Sequence, residues 1–170
     1  MSPGFRDLPP LPRRRSGSPR DRKIQVPGLE GKSGRCCILL VDDAPVNLAV
    51  CSRLLSRMAC QVEPAVTGEF AVAMFRDGIA EARYDMILMD MNMPGMNGME
   101  TCRAIRKLEA ELPADHPYRS RPVPILILTS ENPGGKLKEY RRAGANDFLY
   151  KPFQPEVVCQ ALAKWIPVHA

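Results

Sequence analysis

Four apolar runs in this 170-residue chain each stop at a polar side chain suited to metal or phosphoryl chemistry. CCILLV is followed by Asp42 and Asp43, YDMILM by Asp90, PILIL by Thr129 and Ser130, and DFLY by Lys151. Carboxylates brought together repel one another and raise their own pKa values unless a cation sits among them. The expected cation is Mg2+, a hard ion that takes one or two carboxylates and completes its octahedron with water and phosphate oxygens. With Lys151 supplying positive charge and Thr129 a hydroxyl donor, such a site suits a phosphoryl group. A carboxylate can itself accept that group, as aspartyl-phosphate enzymes show. Capping of the following helix would explain any one strand-terminal Asp, but not matching polar groups at four strand ends.

These residues converge only if the runs are parallel strands of one sheet, because ligands of open α/β sheets bind outside the carboxyl ends of the strands. From Arg35 onward short apolar runs alternate with segments of helical period, the pattern of repeated βα units. The strands are predicted at Cys36 to Val41, Cys60 to Ala65, Tyr84 to Met89, Val123 to Leu128 and Ala145 to Tyr150. The second is mixed in polarity and is placed nearer a sheet edge. Helical spacing recurs in Leu48, Cys51, Leu54, Leu55 and Met58, in Ala71, Met74 and Phe75, and in Met99, Cys102 and Ile105. A shorter stripe holds Leu137, Tyr140 and Ala143, and a broad one holds Val157, Val158, Ala161, Leu162, Trp165 and Ile166. Leu112 to Pro122, rich in proline and charge, is predicted to be an exposed loop.

The net charge of +5 is unevenly spread: residues 1–35 hold nine Lys/Arg against three Asp/Glu, and residues 36–170 hold fifteen against sixteen. The basicity therefore belongs to the tail, so nucleic-acid binding is expected, if at all, only through Arg13, Arg14, Arg15, Arg20, Arg22 and Lys23. Rich in Pro and Gly and without an apolar period, residues 1–34 are expected to be disordered, with the folded domain at 35–170. No apolar stretch is long enough to span a membrane and no secretory h-region opens the chain, which implies a reducing compartment, cytoplasm or nucleus. The six cysteines form no CxxC pair and read as core thiols. Gly28 to Ser33 ends like a P-loop, but Val26 stands where its first glycine is required.

The Asp42-Asp43 pair, the DMNMPGMNG segment from Asp90, the LTSE ending in Glu131 and the YKPF holding Lys151-Pro152 together resemble the receiver domain of two-component response regulators and hybrid histidine kinases, CheY-like proteins. The resemblance covers about residues 36–167. It implies a flavodoxin-like (βα)5 fold with strand order 2-1-3-4-5 and helices on both faces. It also implies phosphoryl transfer from a phosphohistidine donor onto Asp90. Asp43 would ligate Mg2+ with Asp90 and the backbone carbonyl of Asn92, and Asp42 would act mainly through a metal-bound water. Thr129 and Lys151 would hold phosphoryl oxygens, and Asn92 and Glu131 would tune the lifetime of the phosphorylated state. The family's Lys-Pro bond is cis, which Pro152 permits.

In such domains the hydroxyl residue is coupled to an aromatic on the fifth strand, here Phe148, and phosphorylation biases a two-state equilibrium. Tyr150 is expected on the opposite face. The expected partner is a histidine kinase or histidine phosphotransfer protein, docking across the first helix and the loop after strand five, with Leu48, Cys51 and Pro152 to Phe153 as candidate contacts. The chain would promote its own aspartyl phosphorylation and dephosphorylation while serving primarily as a switch. The alternative is a pseudo-receiver, a binding module without phosphotransfer; its usual loss of a site residue is not seen. A haloacid-dehalogenase-type phosphatase would need an acid two positions after its nucleophile, where this chain has Asn92.

Overall fold

A computed structural model describes residues 22–29 and 36–166. Five parallel strands, β1 (Cys36–Val41), β2 (Cys60–Ala65), β3 (Met86–Asp90), β4 (Ile125–Thr129) and β5 (Asp147–Tyr150), form one sheet of order 2-1-3-4-5. The helices are α1 (Pro45–Arg57), α2 (Gly68–Gly78), α3 (Gly98–Ala110), the single turn α4 (Pro117–Ser120), α5 (Leu137–Ala143) and α6 (Pro155–Trp165). None of the described helices is long and apolar enough to cross a membrane.

Alternation along the strands makes two cores. Leu39, Val41, Ile87 and Met89 face α2 and α3 with Phe75, Cys102 and Ile105. Ile38, Leu40, Met86 and Leu88 face α1 and α6 with Leu48, Leu55, Val158 and Leu162. β1, β3 and most of β4 are buried along their length, whereas β2 is buried only at its two ends and pairs on one side only, as expected of an edge strand. Val157, placed in the core by the apolar stripe of α6, is exposed; Val158 and Leu162 carry the packing. The cysteines among these residues are thiols, and burial pushes Cys37 up to about 11 and Cys51 and Cys102 up to about 12.

Three strands begin two residues later than the apolar runs. Pro124 has no N–H to give the ladder, so β4 starts at Ile125. Before β5, Gly144 ends α5 with φ +109° and Ala145 donates back to the carbonyl of Tyr140, so these residues close a helix rather than open a strand. Before β3, Asp85 spends its N–H on Cys37 and its carboxylate accepts the Cys37 N–H at 2.8 Å, and the paired ladder begins at Met86.

The stretch Leu112 to Pro122 is not simply an exposed loop. Its α4 turn buries Tyr118, stacked on Phe75 with ring centroids 5.4 Å apart. The Tyr118 hydroxyl donates to the Tyr84 carbonyl and accepts the Tyr84 N–H, both at 2.8 Å. His116 caps the turn by accepting the Tyr118 N–H at Nδ1.

Within the segment expected to be disordered, residues 22–29 lie against the domain. Val26 is only 3% exposed, and Ile24 and Leu29 pack against the α1/α6 core. Arg13 to Arg15 and Arg20 lie outside the described residues.

Tyr118→Phe keeps the ring but removes both hydrogen bonds from a buried backbone pair. It should lower unfolding free energy by about 1–3 kcal/mol in denaturant titration, without altering the native secondary structure.

Candidate functional site: an acidic cluster at the carboxyl ends of the strands

Because β1 and β3 are adjacent, Asp42 and Asp43 after β1 meet Asp90 at the end of β3. One carboxylate oxygen from each lies within 4.8 Å of the other two. Asp42 and Asp90 are buried and Asp43 is exposed. Asp42 is the most tightly held: Oδ1 accepts the Ala44 N–H at 2.9 Å, and the Asn47 side-chain amide lies 3.3 and 3.1 Å from its two oxygens. Asn47 sits in the first turn of α1, which Pro45 opens, so the helix start braces the carboxylate. Asn47 is a site residue that sequence reasoning missed; an amide one helical turn past an acidic pair was its only signal.

Lys151 enters from the end of β5. Its Nζ is 2.9 Å from Asp42 Oδ2 and 3.6 Å from Asp90 Oδ1, a short ion pair and a longer one. Its backbone N–H donates to the Thr129 carbonyl at 2.7 Å, and the Lys151-Pro152 bond is cis, as expected. The Asn92 N–H reaches Asp90 Oδ1 at 3.3 Å, while the Asn92 side chain is exposed. α3 comes close behind Asp90 because Gly98 has no side chain: a Cβ there would collide with the Asp90 carbonyl oxygen and stand 2.8 Å from Met91 Cα.

One lysine does not neutralise three carboxylates. Burial pushes the Asp90 carboxyl above its usual range; Lys151 and the Asn92 N–H oppose this, and Asp42 and Asp43 reinforce it. Excess negative charge on oxygen donors suits a hard divalent cation. These three carboxylates are therefore a chemically fitting donor set for Mg2+.

Thr129 stands at the carboxyl end of β4, but its hydroxyl is turned into its own loop. It donates to the Glu131 carbonyl at 2.8 Å and accepts the Glu131 N–H at 3.2 Å. Glu131 itself is exposed. Phe148 is half-buried against the α2/α3 core. Tyr150 does not point to the other face: strand alternation puts residues two apart on one face, and the Phe148 and Tyr150 rings meet edge-on at 5.3 Å. Tyr150 is also the register partner of Thr129.

Residues 38–163 match the family model described as the response regulator receiver domain. The chain belongs to this family. It is 32% identical over 149 residues to the sensor protein GacS of Pseudomonas syringae, covering 87% of this chain and 15% of that protein. It is 34% identical over 148 residues to the two-component response regulator ORR1 of Oryza sativa subsp. indica, covering 83% and 59%. The chain thus spans less than two thirds of either relative. Among solved structures it resembles the receiver domain of a sensor histidine kinase from Pseudomonas aeruginosa, with a TM-score of 0.63, 33% identity, and coverage of 78% of this chain and 98% of that one. That structure has a magnesium ion coordinated in its active-site cleft. The receiver fold and its strand order are as the resemblance implied.

A raised native pKa means that the folded state holds the Asp90 proton more tightly than the unfolded chain does. Ionised Asp90 therefore lowers stability as pH rises through the interval between its unfolded and folded pKa values. Asp90→Asn should melt at a higher temperature than the parent near pH 7, and the difference should shrink as the pH is taken below the ordinary carboxylate range. Thermal melts across that range check it.

Proposed function

We propose that this receiver domain accepts a phosphoryl group on Asp90 from a phosphohistidine of a histidine kinase or histidine phosphotransfer protein, as one step of a two-component phosphorelay. The supporting observation is the meeting of Asp42, Asp43 and Asp90 within 4.8 Å with Lys151 bridging the two buried carboxylates. An oxygen of Asp90 attacks phosphorus, the P–N bond to the donor imidazole breaks, and the imidazole leaves with its electron pair and takes a proton. Mg2+, held by Asp42, Asp43, Asp90 and the Asn92 carbonyl, would supply positive charge to the phosphoryl oxygens. The Asp43 and Asp90 carboxylates would bind it directly, and Asp42 would act through water. Lys151 shifts from its pair with Asp42 toward a phosphoryl oxygen. Thr129 gives up the Glu131 carbonyl and donates to another, and Phe148 follows into the space that Thr129 leaves. The exposed side chains of Asn92 and Glu131 flank the path of the hydrolytic water and set the lifetime of the acyl phosphate.

The docking face needs revision at two residues. Leu48 and Cys51 are buried and belong to the core. The large apolar residues that α1 offers outward are Val46 and Val50, 73% and 60% exposed and one turn apart. Pro152, exposed, and Phe153, half-buried, stay on this face. Two exposed valines at that spacing suit the apolar face of a donor helix.

Incubation of the chain with acetyl phosphate and Mg2+ should add one phosphoryl group by intact mass, abolished in Asp90→Asn and by chelation. No adduct from either acetyl phosphate or a phosphorylated histidine donor would instead favour a pseudo-receiver. Val46→Asp with Val50→Asp should slow transfer from the protein donor by about tenfold or more while leaving acetyl phosphate labelling unchanged, since two desolvated apolar contacts are lost from the interface alone.

A further inference from the structure

We propose that residues 22–29 are a strap docked in cis on the C-terminal end of α1, so that the folded domain begins at Arg22 and the upstream segment is anchored to α1 rather than hanging from β1. Four observations converge. Ile24 and Val26 alternate toward the protein as a strand would; Val26 is 3% exposed, while Lys23 and Gln25 between and before them face solvent. The Ile24 N–H donates to the Arg57 carbonyl at 2.8 Å, filling one of the acceptors that a helix end leaves open. In return the Arg57 Nε donates to the Arg22 carbonyl at 3.0 Å. Then Val26-Pro27-Gly28-Leu29 makes a tight turn, with Gly28 at φ +86° and the Leu29 N–H on the Val26 carbonyl at 3.0 Å, the pattern of a type II turn with Pro and Gly at its centre.

That turn folds Leu29 back, so Ile24, Val26 and Leu29 all join the cluster built by Leu55, Met58, Cys60 and Ile166. α1 is then gripped at both ends: Asn47 in its first turn holds Asp42, and Arg57 in its last holds the strap. Anything that pulls on or binds residues upstream of Arg22 acts on the helix that braces the acidic cluster.

Hydrogen exchange on the full chain tests this, together with melting of Val26→Asp and of Gln25→Asp, which adds the same charge on the solvent side. The Ile24 amide should exchange far more slowly than a free peptide, Val26→Asp should lower the melting temperature by roughly 5 °C or more, and Gln25→Asp should leave it nearly unchanged. If Val26→Asp fails to fold, Val26→Ala should give a smaller drop in the same direction. An Ile24 amide exchanging at the free-peptide rate, or equal melting of the two aspartate variants, overturns the strap. Light scattering decides the occupant: a monomer with a protected Ile24 amide supports docking in cis, and protection that appears only with a dimer assigns the groove to a second copy and overturns it. None of these readouts depends on phosphorylation, so their failure leaves the proposed chemistry at Asp90 untouched.

Discussion

Mutual repulsion among the carboxylates at the ends of β1 and β3 is the constraint that the surrounding structure answers. Asp42 and Asp90 are buried, so neither is screened by bulk water, and each must be held by groups the fold brings to it. Lys151 arrives from the far side of the sheet, tied to β4 through its backbone bond with Thr129. Asn47 and the Ala44 N–H come from the turn into α1. Lys151 lies closer to Asp42 than to Asp90, and burial, reinforced by the neighbouring carboxylates, pushes the Asp90 carboxyl up.

The same economy of contacts fixes the α3 side. Asn97 accepts from the Glu100 N–H while Glu100 accepts from the Asn97 N–H, a reciprocal cap that sets where α3 starts. Gly98 then lets that start lie against the backbone of Asp90 and Met91. Further along α3, Arg106 fans out to Glu109, to the Val123 carbonyl at 2.8 Å and to the Gly144 carbonyl at 2.8 Å, joining the entrances of β4 and β5. The buried Glu109 answers with the Val123 N–H at 2.7 Å. The two strands that deliver Thr129 and Lys151 thus share one polar clamp at their amino ends.

Most of this was legible in the sequence because the polar residues sit where apolar runs stop, and a run of buried strand is easy to see. Asp42, Asp43, Asp90 and Lys151 were located that way and do meet, and the strand order followed from the resemblance. What escaped depended on contacts between distant segments. Asn47 is one polar residue in an amphipathic helix until Asp42 is placed beside it. The roles of Val46, Val50, Leu48 and Cys51 differ only by the rotation of α1 about its axis, which spacing fixes to no better than a face. Tyr118 looked like part of a proline-rich connection because its burial comes from Phe75 and Tyr84, far away in the chain. Thr129 was placed correctly, yet its hydroxyl bonds to its own loop, which no pattern of residue types reveals.

The edges of the sheet carry a consequence for a domain whose relatives include much longer proteins. On β2 Gln61 and Pro64 are both exposed, and Pro64 has no N–H to offer a pairing strand. At the other margin β5 is only four residues long and gives way at once to Lys151 and the cis Lys151-Pro152 bond. Neither margin offers a long uninterrupted template to a foreign strand. Copies of this fold can be crowded together or strung beside other modules without zipping sheet to sheet, leaving encounters to be decided by the loops and helix faces around the carboxylates.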